Sequence, residues 1–298
     1  MPLNSFYPDS NDIIITENKP LNQFSTLGTG GTAEFFAQPE SLSQLQELIR
    51  SAKNIPVYVI GGGSNIVIPD GLIHGLIIST RSLNSITWTD GKTAEIESGF
   101  VLSQLVKILR EKNIGGLEFS AGIPGTIGGA FSGNAGAGGR GVCEFVESVK
   151  AVDSSGNLVT FMRGEFDYGY RRCGLSGVIT ASLTMSFRDC PSWNEESYSD
   201  FMSRRKSQPL NFRSAGCTFK NPEGDSAGRL LDVCGCRGLR IGDAAVSEKH
   251  ANFIVNFGHA SSSDILGLAE LCSKKVYECT GIKLEPEIKT LSPCFIAP

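Results

Sequence analysis

The chain has 298 residues, of which 40% are hydrophobic and 19% charged, and its formal net charge is −4. This composition is typical of a globular protein with a substantial core, and the acidic balance excludes the basic surface of a nucleic-acid-binding protein. The N-terminal residues lack the basic and apolar regions of a signal peptide, and no apolar run is long enough to cross a bilayer. The sequence is therefore interpreted as a monomeric cytoplasmic protein that acts on small molecules, without nucleic-acid or membrane partners.

The cysteines and histidines argue against a metal centre. The nine cysteines include no Cys-x-x-Cys pair, and none of the three histidines stands at ligand spacing from a cysteine pair. Structural zinc sites are built from such pairs. In a chain without an export signal the thiols are expected to be reduced, so the sequence predicts no metal.

In chain order, apolar residues at helical spacing predict helices over 41–53 and 102–112. Short apolar runs predict strands over 57–60, 66–68, 76–79, 94–98, 149–153, 158–161 and 178–187, the fifth and sixth joined as a hairpin. Polar residues with a proline at 189–194 predict a domain boundary. Beyond it, the sequence predicts a helix over 196–207, a strand over 252–256, and a helix from Asp264, as N-cap, to about Thr280, with Gly281 as its stop.

The first glycine cluster, Gly61 to Gly63, follows a predicted strand. A Rossmann or P-loop site requires a helix directly after the glycines, whereas an extended segment ending in a turn follows here. Successive N–H groups in such a loop can still face one anion, and glycine lets a phosphate approach the backbone closely. Ser64 and Asn65 add side-chain donors. The loop is a candidate phosphate cradle, with a tight structural turn as the alternative.

A second glycine cluster extends from 115 to 141, where 11 of 27 residues are glycine. Interspersed residues such as Ile123, Pro124 and Phe131 favour a rigid path rather than a flexible linker. A rigid surface with few side chains suits a large flat ligand that lies against backbone. The two clusters together predict that one loop holds a pyrophosphate while the other lines an isoalloxazine ring and its ribityl chain.

Eight sequence blocks occur in an order that is highly specific as a set. They are STLGTGGTAEFF, IGGGSNIVIPDG, GLEFSAGIPGTIGGAFSGNAGAGG, YGYRRC, SAGCTFKNP, AGRLLDVCGCRG, VSEKHANFIVN and LEPEI. Over nearly the whole chain after about residue 20, they resemble the UDP-N-acetylenolpyruvoylglucosamine reductase family of peptidoglycan synthesis, in its compact subtype. The resemblance implies an α+β fold, with a two-lobed FAD-binding domain of the vanillyl-alcohol-oxidase type over 1–80 and 81–188. It also implies a C-terminal α/β substrate-binding domain over 189–298, in which the segment 284–298 returns to the active site.

The resemblance further implies a reaction with two halves. NADPH reduces non-covalently bound FAD and leaves, and the enolpyruvyl ether of UDP-N-acetylglucosamine then accepts a hydride and a proton to become UDP-N-acetylmuramate. The two glycine loops supply the predicted cofactor-binding residues: Gly61, Gly62, Gly63, Ser64, Asn65, Gly122, Ile123, Pro124, Gly125, Gly128, Gly129, Asn134 and Gly136.

Three residues match the catalytic positions of the family. Arg171 in YGYRRC and Glu287 in LEPEI are implied to stabilise the developing enolate, since charge stabilisation is usually the largest catalytic contribution. Cys217 in SAGCTFKNP stands where the family usually has the proton-donating serine. A thiol with a reference pKa of about 8.5 releases a proton far more readily than an alcohol, so Cys217 is predicted to replace that serine. Cys173 also stands where the family usually has serine, and its role is open.

The predicted substrate-binding residues are Tyr170, Lys206, Lys220 and Asn221, whereas His250 is predicted to be structural. Two other functions are weighed beside the reductase. An oxidase of small alcohols or sugars on the same fold is disfavoured, because IGGGSN offers no His or Cys to tether the flavin. A non-catalytic flavin- or UDP-sugar-binding protein stays open because of the cysteine at 217.

Overall fold

The structure is a computed structural model that describes residues 12–297. Within those residues, three larger β-sheets and three two-stranded sheets combine with six α-helices. The helices are α1 (Leu42–Ser51), α2 (Leu102–Glu111), α3 (Ile127–Ser132), α4 (Glu195–Arg205), α5 (Ala227–Val233) and α6 (Ser262–Thr280). Helices packed against mainly antiparallel sheets form an α+β architecture.

The first sheet joins both ends of the described chain. Its spatial order is Ile15–Pro20, Thr32–Ala37, Leu72–Ser79, Pro56–Ile60 and Phe295–Ile296. The three inner strands are parallel, and the two edge strands pair antiparallel. Helix α1 connects two of the parallel strands, and the hydroxyl of its N-cap Ser41 accepts a hydrogen bond from the N–H of Gln44. The helix buries Leu45, Leu48 and Ile49 against this sheet.

The second sheet is antiparallel throughout. Its spatial order is Leu158–Met162, Val146–Asp153, Val178–Ser186, Thr93–Glu97 and Ile86–Trp88. Helices α2 and α3 share its core. Helix α3 lies within the second glycine cluster and buries Ile127, Ala130 and Phe131, so the apolar residues of that cluster anchor the loop to the second core.

The third sheet is antiparallel and is covered by α5 and α6. Its spatial order is Arg213–Ser214, Ile254–Asn256, Ala244–Val246 and Arg240–Ile241. The predicted N-cap of α6 at Asp264 is wrong. Ser261 is the N-cap: its hydroxyl accepts from the Asp264 N–H, and the Asp264 carboxylate accepts from the Ser261 N–H, which together form a capping box. A hydroxyl at this position reaches the free N–H groups of the first helical turn. Gly281 ends the helix in the left-handed conformation, as predicted.

The C-terminal segment runs from the third core to the first sheet. Leu284 and Ile288 belong to the third core. Lys289–Thr290 then pairs in parallel with Ile66–Val67, and Phe295–Ile296 forms the edge of the first sheet. Two further small hairpins pair Gly136–Ala137 with Arg140–Gly141 and Tyr168–Gly169 with Arg172–Cys173.

The predicted strands and helices all occur, with ends that differ by a few residues. The sequence patterns did not indicate the polar edge strand Ile15–Pro20, its neighbour Thr32–Ala37, or the short helices α3 and α5. Helix α4 follows the predicted boundary at 189, yet Tyr198 and Phe201 pack against the second core. The predicted domain limits therefore assign to the third domain a helix whose contacts are with the second sheet's core.

Candidate active site

The two glycine loops pack directly against each other. A Cβ atom added at Gly62 would lie 2.6 Å from Cα of Gly125, and one added at Gly125 would lie 2.8 Å from Oγ of Ser64. The Ser64 hydroxyl donates to the carbonyl of Pro124 at 3.2 Å. Side-chain carbons do not approach backbone this closely, so only glycine permits the contact at position 62. The predicted pyrophosphate loop and the predicted flavin loop thus form one continuous surface.

Several of the predicted cofactor glycines are required by the fold itself. A Cβ at Gly63 would overlap the carbonyl of Phe24, and one at Gly136 would overlap the carbonyl of Arg140. Gly63 also has a φ of +70°, which side-chain-bearing residues rarely adopt. Backbone packing accounts for these two glycines, and their contact with a cofactor stays a prediction.

Buried hydroxyl groups without hydrogen-bond partners surround the two loops. Within residues 12–297 they include those of Ser79, Ser98 and Thr126. Ser79 pairs with Ile60, which precedes the first loop, and Thr126 Oγ1 lies 2.6 Å from the position that a Cβ on Gly61 would take. A buried polar group without a partner is costly. A bare backbone surface bordered by unsatisfied hydroxyls fits a bound FAD, whose phosphates and ring edges are rich in hydrogen-bonding atoms.

Arg171 stands at the turn of the small hairpin formed by Tyr168–Gly169 and Arg172–Cys173. Its φ is +56°, and such strained positions in non-glycine residues are concentrated at functional sites. Its Nη1 donates to the carbonyl of Gly136 at 2.8 Å. The second glycine cluster therefore fixes the direction of this guanidinium.

Asn134 holds the same hairpin from the side of the second core. Its Nδ2 donates to the carbonyl of Gly169 at 2.9 Å, and its Oδ1 accepts from the N–H of Cys143 at 3.0 Å. Both ends of the amide are thus used within the protein. We assign to Asn134 the role of fixing the hairpin, and its predicted contact with the cofactor stays a prediction.

Glu287 lies in the C-terminal segment between two other elements. Its N–H donates to the carbonyl of Thr218 at 2.8 Å, and its carbonyl accepts from Nδ2 of Asn65 at 3.1 Å. Phe219 and Pro286 form a β-bridge alongside. The first glycine loop, the Cys217 segment and the C-terminal segment are therefore joined at the residue predicted to be catalytic.

Arg171 and Glu287 form a close ion pair. Arg171 Nε lies 2.6 Å from Oε1 of Glu287, with exposed side-chain fractions of 24% and 14%. The Nε–H has no partner in hydrogen-bond geometry within the described residues, so the contact is an attraction between charges rather than an aligned hydrogen bond. Burial raises the pKa of Glu287, although Arg171, Lys220 and Arg205 oppose that rise. Burial therefore makes this carboxylate a stronger proton acceptor than an exposed glutamate.

The thiol of Cys217 faces the same group of charges. Burial raises its pKa to about 11, and the negative charge of Glu287 adds to the rise, while Arg171 and Arg205 oppose it. The sequence led us to expect a thiol titrating near its reference value. Because burial dominates, the group stays protonated at neutral pH, which is the state that a proton donor requires.

Arg205 is the site residue that the sequence did not single out. It interacts electrostatically with Cys217, Arg171 and Glu287, and burial lowers its pKa. Its Nε donates to the carbonyl of Ala121 at 3.3 Å. It forms no ion pair with any carboxylate within residues 12–297. A partly buried guanidinium that forms no close ion pair is a place for an anionic ligand.

The helical phase of α4 explains which of three consecutive cations reaches the site. Tyr198, Phe201 and Arg205 follow one another at helical spacing, and all three are partly buried, whereas Arg204 and Lys206 are exposed. The apolar residues Tyr198 and Phe201 indicate the inward face of the helix. This spacing could have identified Arg205 from the sequence.

The four predicted substrate-binding residues differ in their contacts and exposure. Tyr170 is 58% exposed beside Arg171, whose guanidinium carbon lies 5.3 Å from the ring centroid. Lys220 forms an ion pair with Glu285. Asn221 accepts a hydrogen bond from the N–H of Ala227 at 3.1 Å, close to the start of α5. Lys206 is exposed at the end of α4, and the role of each in substrate binding stays a prediction.

His250 has the structural contacts that the sequence analysis predicted. Its Nδ1 accepts from the N–H of Asn252 at 3.3 Å, and its ring lies edge-on to Phe253. Burial lowers its pKa, with Arg237 adding to the effect. A neutral imidazole that braces a loop agrees with this arrangement.

A cavity of about 210 Å³ opens on the third sheet, close to the end of α4. The rings of Phe212 and Phe257 line it with centroids 5.0 Å apart, and the guanidinium carbon of Arg240 lies 4.4 Å from the Phe257 ring centroid. Gln208 accepts a hydrogen bond from Arg205 at 3.3 Å, and the residue after it, Pro209, lines the cavity. One short stretch of chain thus connects the cavity to the charged site.

Within residues 12–297, no group of three or more His, Cys, Asp or Glu side chains is arranged to hold a metal ion. Nor does that part of the chain contain a helix whose length and hydropathy would let it cross a membrane.

Two family models match the chain. The description of one is "FAD binding domain", and it matches residues 33–162. The description of the other is "UDP-N-acetylenolpyruvoylglucosamine reductase, C-terminal domain", and it matches residues 208–291. The first match contains both glycine loops, which confirms the predicted FAD-binding domain. The second contains the Cys217 segment, α5, α6 and Glu287.

Curated relatives and a solved structure are similar over most of the chain. The UDP-N-acetylenolpyruvoylglucosamine reductase of Syntrophus aciditrophicus is 38% identical over 281 residues, covering 91% of this chain and 90% of its own length. That of Geotalea uraniireducens is 40% identical over 277 residues, covering 91% and 92%. The crystal structure of the Thermus caldophilus enzyme of that name superposes with a TM-score of 0.78 at 32% identity, covering 94% of this chain and 99% of its own. These matches confirm the predicted fold class.

Proposed function

The chain belongs to the UDP-N-acetylenolpyruvoylglucosamine reductase family, and from this premise we propose that it uses NADPH and FAD to convert UDP-N-acetylglucosamine enolpyruvate into UDP-N-acetylmuramate. The observation that carries the proposal is the convergence of Arg171, Cys217 and Glu287 beside the joined glycine loops. When bound against these loops, FAD supplies the two-electron chemistry that takes a hydride from NADPH and delivers it to the vinyl group.

In this proposal the two arginines bind the substrate carboxylate. Reduction of the vinyl group leaves negative charge on the carbon next to that carboxylate, and the charge spreads onto the carboxylate oxygens as an enolate. Arg205 forms no close ion pair among the described residues, and its guanidinium fork suits a carboxylate. Arg171 is fixed by Gly136 and can strengthen its contact as the charge develops.

In this proposal, the protonation state of Glu287 determines how strongly Arg171 attracts the substrate carboxylate. As an ionised group it neutralises Arg171 across 2.6 Å. Its raised pKa favours the protonated form when a second carboxylate approaches. Once protonated, Glu287 leaves the guanidinium charge to the substrate and can donate a hydrogen bond to the enolate. This exchange explains why an acid belongs beside an arginine that must bind an anion.

Cys217 then donates the proton to the carbon of the enolate. A pKa of about 11 keeps the thiol protonated until that carbanion forms. After transfer, the thiolate is stabilised by Arg171 and Arg205, the two cations that face it. Solvent returns the proton before the next turnover. The replacement of an alcohol by a thiol therefore preserves the reaction.

We assign the nucleotide part of the substrate to the cavity on the third sheet. Its aromatic pair Phe212 and Phe257 offers faces for a base, and Arg240 offers charge for the diphosphate. The stretch Arg205–Gln208–Pro209 links this cavity to the site of reduction, so one extended ligand can occupy both. Calorimetry with UDP should give binding at least tenfold weaker for Arg240→Ala than for wild type. Unchanged UDP binding would refute the assignment, and Lys274→Ala, a surface cation on α6, serves as the matched control.

A three-step experiment tests the proposed function. The purified protein should have a flavin spectrum, bleach on anaerobic addition of NADPH, and recover its colour only on addition of the enolpyruvyl substrate. Mass spectrometry should then find a product two hydrogens heavier than the substrate. A protein that binds flavin and UDP but fails to transfer electrons to the substrate would instead be a binding protein.

A further inference from the structure

An arginine that has no part in the proposed reaction lies beside the first glycine loop. Arg81 belongs to the short 3₁₀ turn directly after the strand Leu72–Ser79. That strand pairs in parallel with Pro56–Ile60, and Ser79 stands opposite Ile60. Because parallel strands run in the same direction, Arg81 and the glycines that follow Ile60 leave the sheet at the same edge. The register of the first sheet therefore brings this side chain to the loop.

The guanidinium of Arg81 donates to three main-chain carbonyl groups. Its Nε lies 3.1 Å from the oxygen of Gly61, and its Nη2 lies 3.2 Å from that of Gly62 and 3.3 Å from that of Phe24. Its central carbon also lies 5.0 Å from the centroid of the buried Phe24 ring. Hydrogen bonds from a cation are stronger than neutral ones, and a planar guanidinium holds several acceptors in a fixed arrangement. Arg81 therefore fixes the direction of the two loop carbonyls.

The N–H groups of the same peptide planes point to the other side of the loop. The peptide bonds here are trans, and in a trans peptide the C=O and N–H point in opposite directions. The N–H groups of Gly62 and Gly63 are therefore directed away from Arg81. Within residues 12–297, neither of them donates to a protein acceptor. Gly63 is buried, and a buried N–H without an acceptor is costly. Two neighbouring N–H groups of this kind form a site for an anion.

We propose that Arg81 is a positioning residue for FAD, which holds the first glycine loop in the conformation whose N–H groups bind the pyrophosphate of the cofactor. Its charge also polarises the two peptide groups and strengthens their N–H groups as donors, because hydrogen bonds in a chain reinforce one another. Lysine has the same charge, but its single nitrogen lacks the planar fork that spans the carbonyls of Gly61 and Gly62. The proposal depends on FAD binding at this loop and does not depend on reduction of the enolpyruvyl substrate.

Release of FAD from the holoprotein tests the proposal. Arg81→Gln should raise the dissociation constant of FAD about tenfold or more, because the lost contacts are charge-assisted hydrogen bonds. The flavin fluorescence that appears on dilution measures this constant, and Arg81→Lys should give a value between those of wild type and Arg81→Gln. Arg50→Gln is the matched control, since Arg50 also donates to a main-chain carbonyl, that of Gly156 at 2.9 Å. It should leave FAD affinity unchanged. Equal FAD affinity in Arg81→Gln and wild type would overturn the proposal.

Phosphorus NMR of the FAD-saturated proteins distinguishes positioning from a general loss of stability. The two phosphorus resonances of bound FAD should shift between wild type and Arg81→Lys, because the donors around the pyrophosphate move, while the absorption spectrum of the bound flavin stays that of wild type. Arg81→Lys also decides the question if Arg81→Gln does not fold: unchanged phosphorus resonances and unchanged FAD affinity would overturn the proposal. A wild-type protein that binds no FAD would contradict both this proposal and the proposed function. A holoprotein that binds FAD but does not reduce the substrate would contradict the proposed function alone and leave these comparisons valid.

Discussion

Arg171 Nε lies 2.6 Å from Oε1 of Glu287, and this contact joins the hairpin above the second core to the C-terminal segment. The pair is largely shielded from solvent, and Cys217 and Arg205 both interact with it. Elements from three separate parts of the chain hold these charged groups close together, so folding of the chain assembles the site. The two charges of the pair also differ in stability, because burial favours the protonated form of Glu287.

Because of this difference, we expect substitutions of the pair to affect one of the two half-reactions more than the other. Glu287→Gln keeps the size of the side chain but cannot share a proton, and Arg171→Lys loses the planar fork. Each should lower reoxidation of the flavin by substrate about 10²-fold or more, while bleaching by NADPH changes only a few-fold. Stopped-flow absorbance measures both rates. Equal losses in both half-reactions would contradict a role specific to the enolate.

Substitutions of Cys217 test the proton donor. Cys217→Ala removes the only thiol assigned to the reaction, so flavin should bleach normally and then stall, with reoxidation about 10²–10⁴-fold slower. Cys217→Ser restores a hydroxyl and should regain part of the rate. Cys294→Ala, another partly exposed cysteine, is the control. Full activity in Cys217→Ala would show that another group delivers the proton.

The orientation of α4 predicts a contrast between adjacent cations. Arg205→Ala should raise the KM for the substrate about tenfold or more, because a charge-assisted hydrogen bond to an anion is worth about 1.5–3 kcal/mol. Lys206→Ala, one residue along and exposed, should change the KM less than twofold. Steady-state kinetics of the two variants decide the assignment. The reverse ranking would favour Lys206 as the substrate-binding residue.

Much of this site was accessible from the sequence because it rests on local patterns. The blocks containing Arg171, Cys217 and Glu287 identified those residues, and helix and strand periodicity gave the main elements. The sequence analysis named Lys206 and not Arg205, because composition cannot rank neighbouring cations. The inward phase of Tyr198 and Phe201 favours Arg205.

Long-range packing accounts for what the sequence left open. The contact of Gly62 with Gly125 depends on how two distant loops meet. The parallel pairing of Lys289–Thr290 with Ile66–Val67 brings Glu287 to the site, and its two-residue strands are too short to have a periodic signal. The raised pKa of Cys217 likewise follows from burial of its side chain, which no sequence motif indicates.

The glycine contact predicts a defect in cofactor binding. Gly62→Ala would bring a methyl group to 2.6 Å from Cα of Gly125, and the backbone must shift to relieve the overlap at a cost of about 1–3 kcal/mol. The purified variant should retain less flavin and bind added FAD at least tenfold more weakly, as measured by quenching of flavin fluorescence. Gly91→Ala is the matched control, because no atom lies within 4 Å of its added Cβ. If both variants bind FAD with equal affinity, the contact between the loops is not required for cofactor binding.

The loop that ends in Asp70 predicts a pH-dependent contribution to stability. Asp70 accepts from the N–H groups of Ser262 and Ser263 at the start of α6, both at 2.9 Å. Burial alone would raise its pKa, but these bonds and those of the serine hydroxyls outweigh burial and lower it. A lowered folded-state pKa means that the stabilisation is present above the unfolded value of about 3.9 and is lost as the pH falls through the folded value.

Asp70→Asn should therefore reduce the free energy of unfolding by about 1 kcal/mol at pH 7, and the difference from wild type should shrink as the pH falls below 4. Urea unfolding of both proteins across this range measures the effect. Asp200→Asn, on the exposed side of α4, should leave the stability unchanged at every pH. A loss of the same size at pH 7 and at low pH would mean that the carboxylate charge is unimportant and that only the shape of the side chain joins this loop to α6.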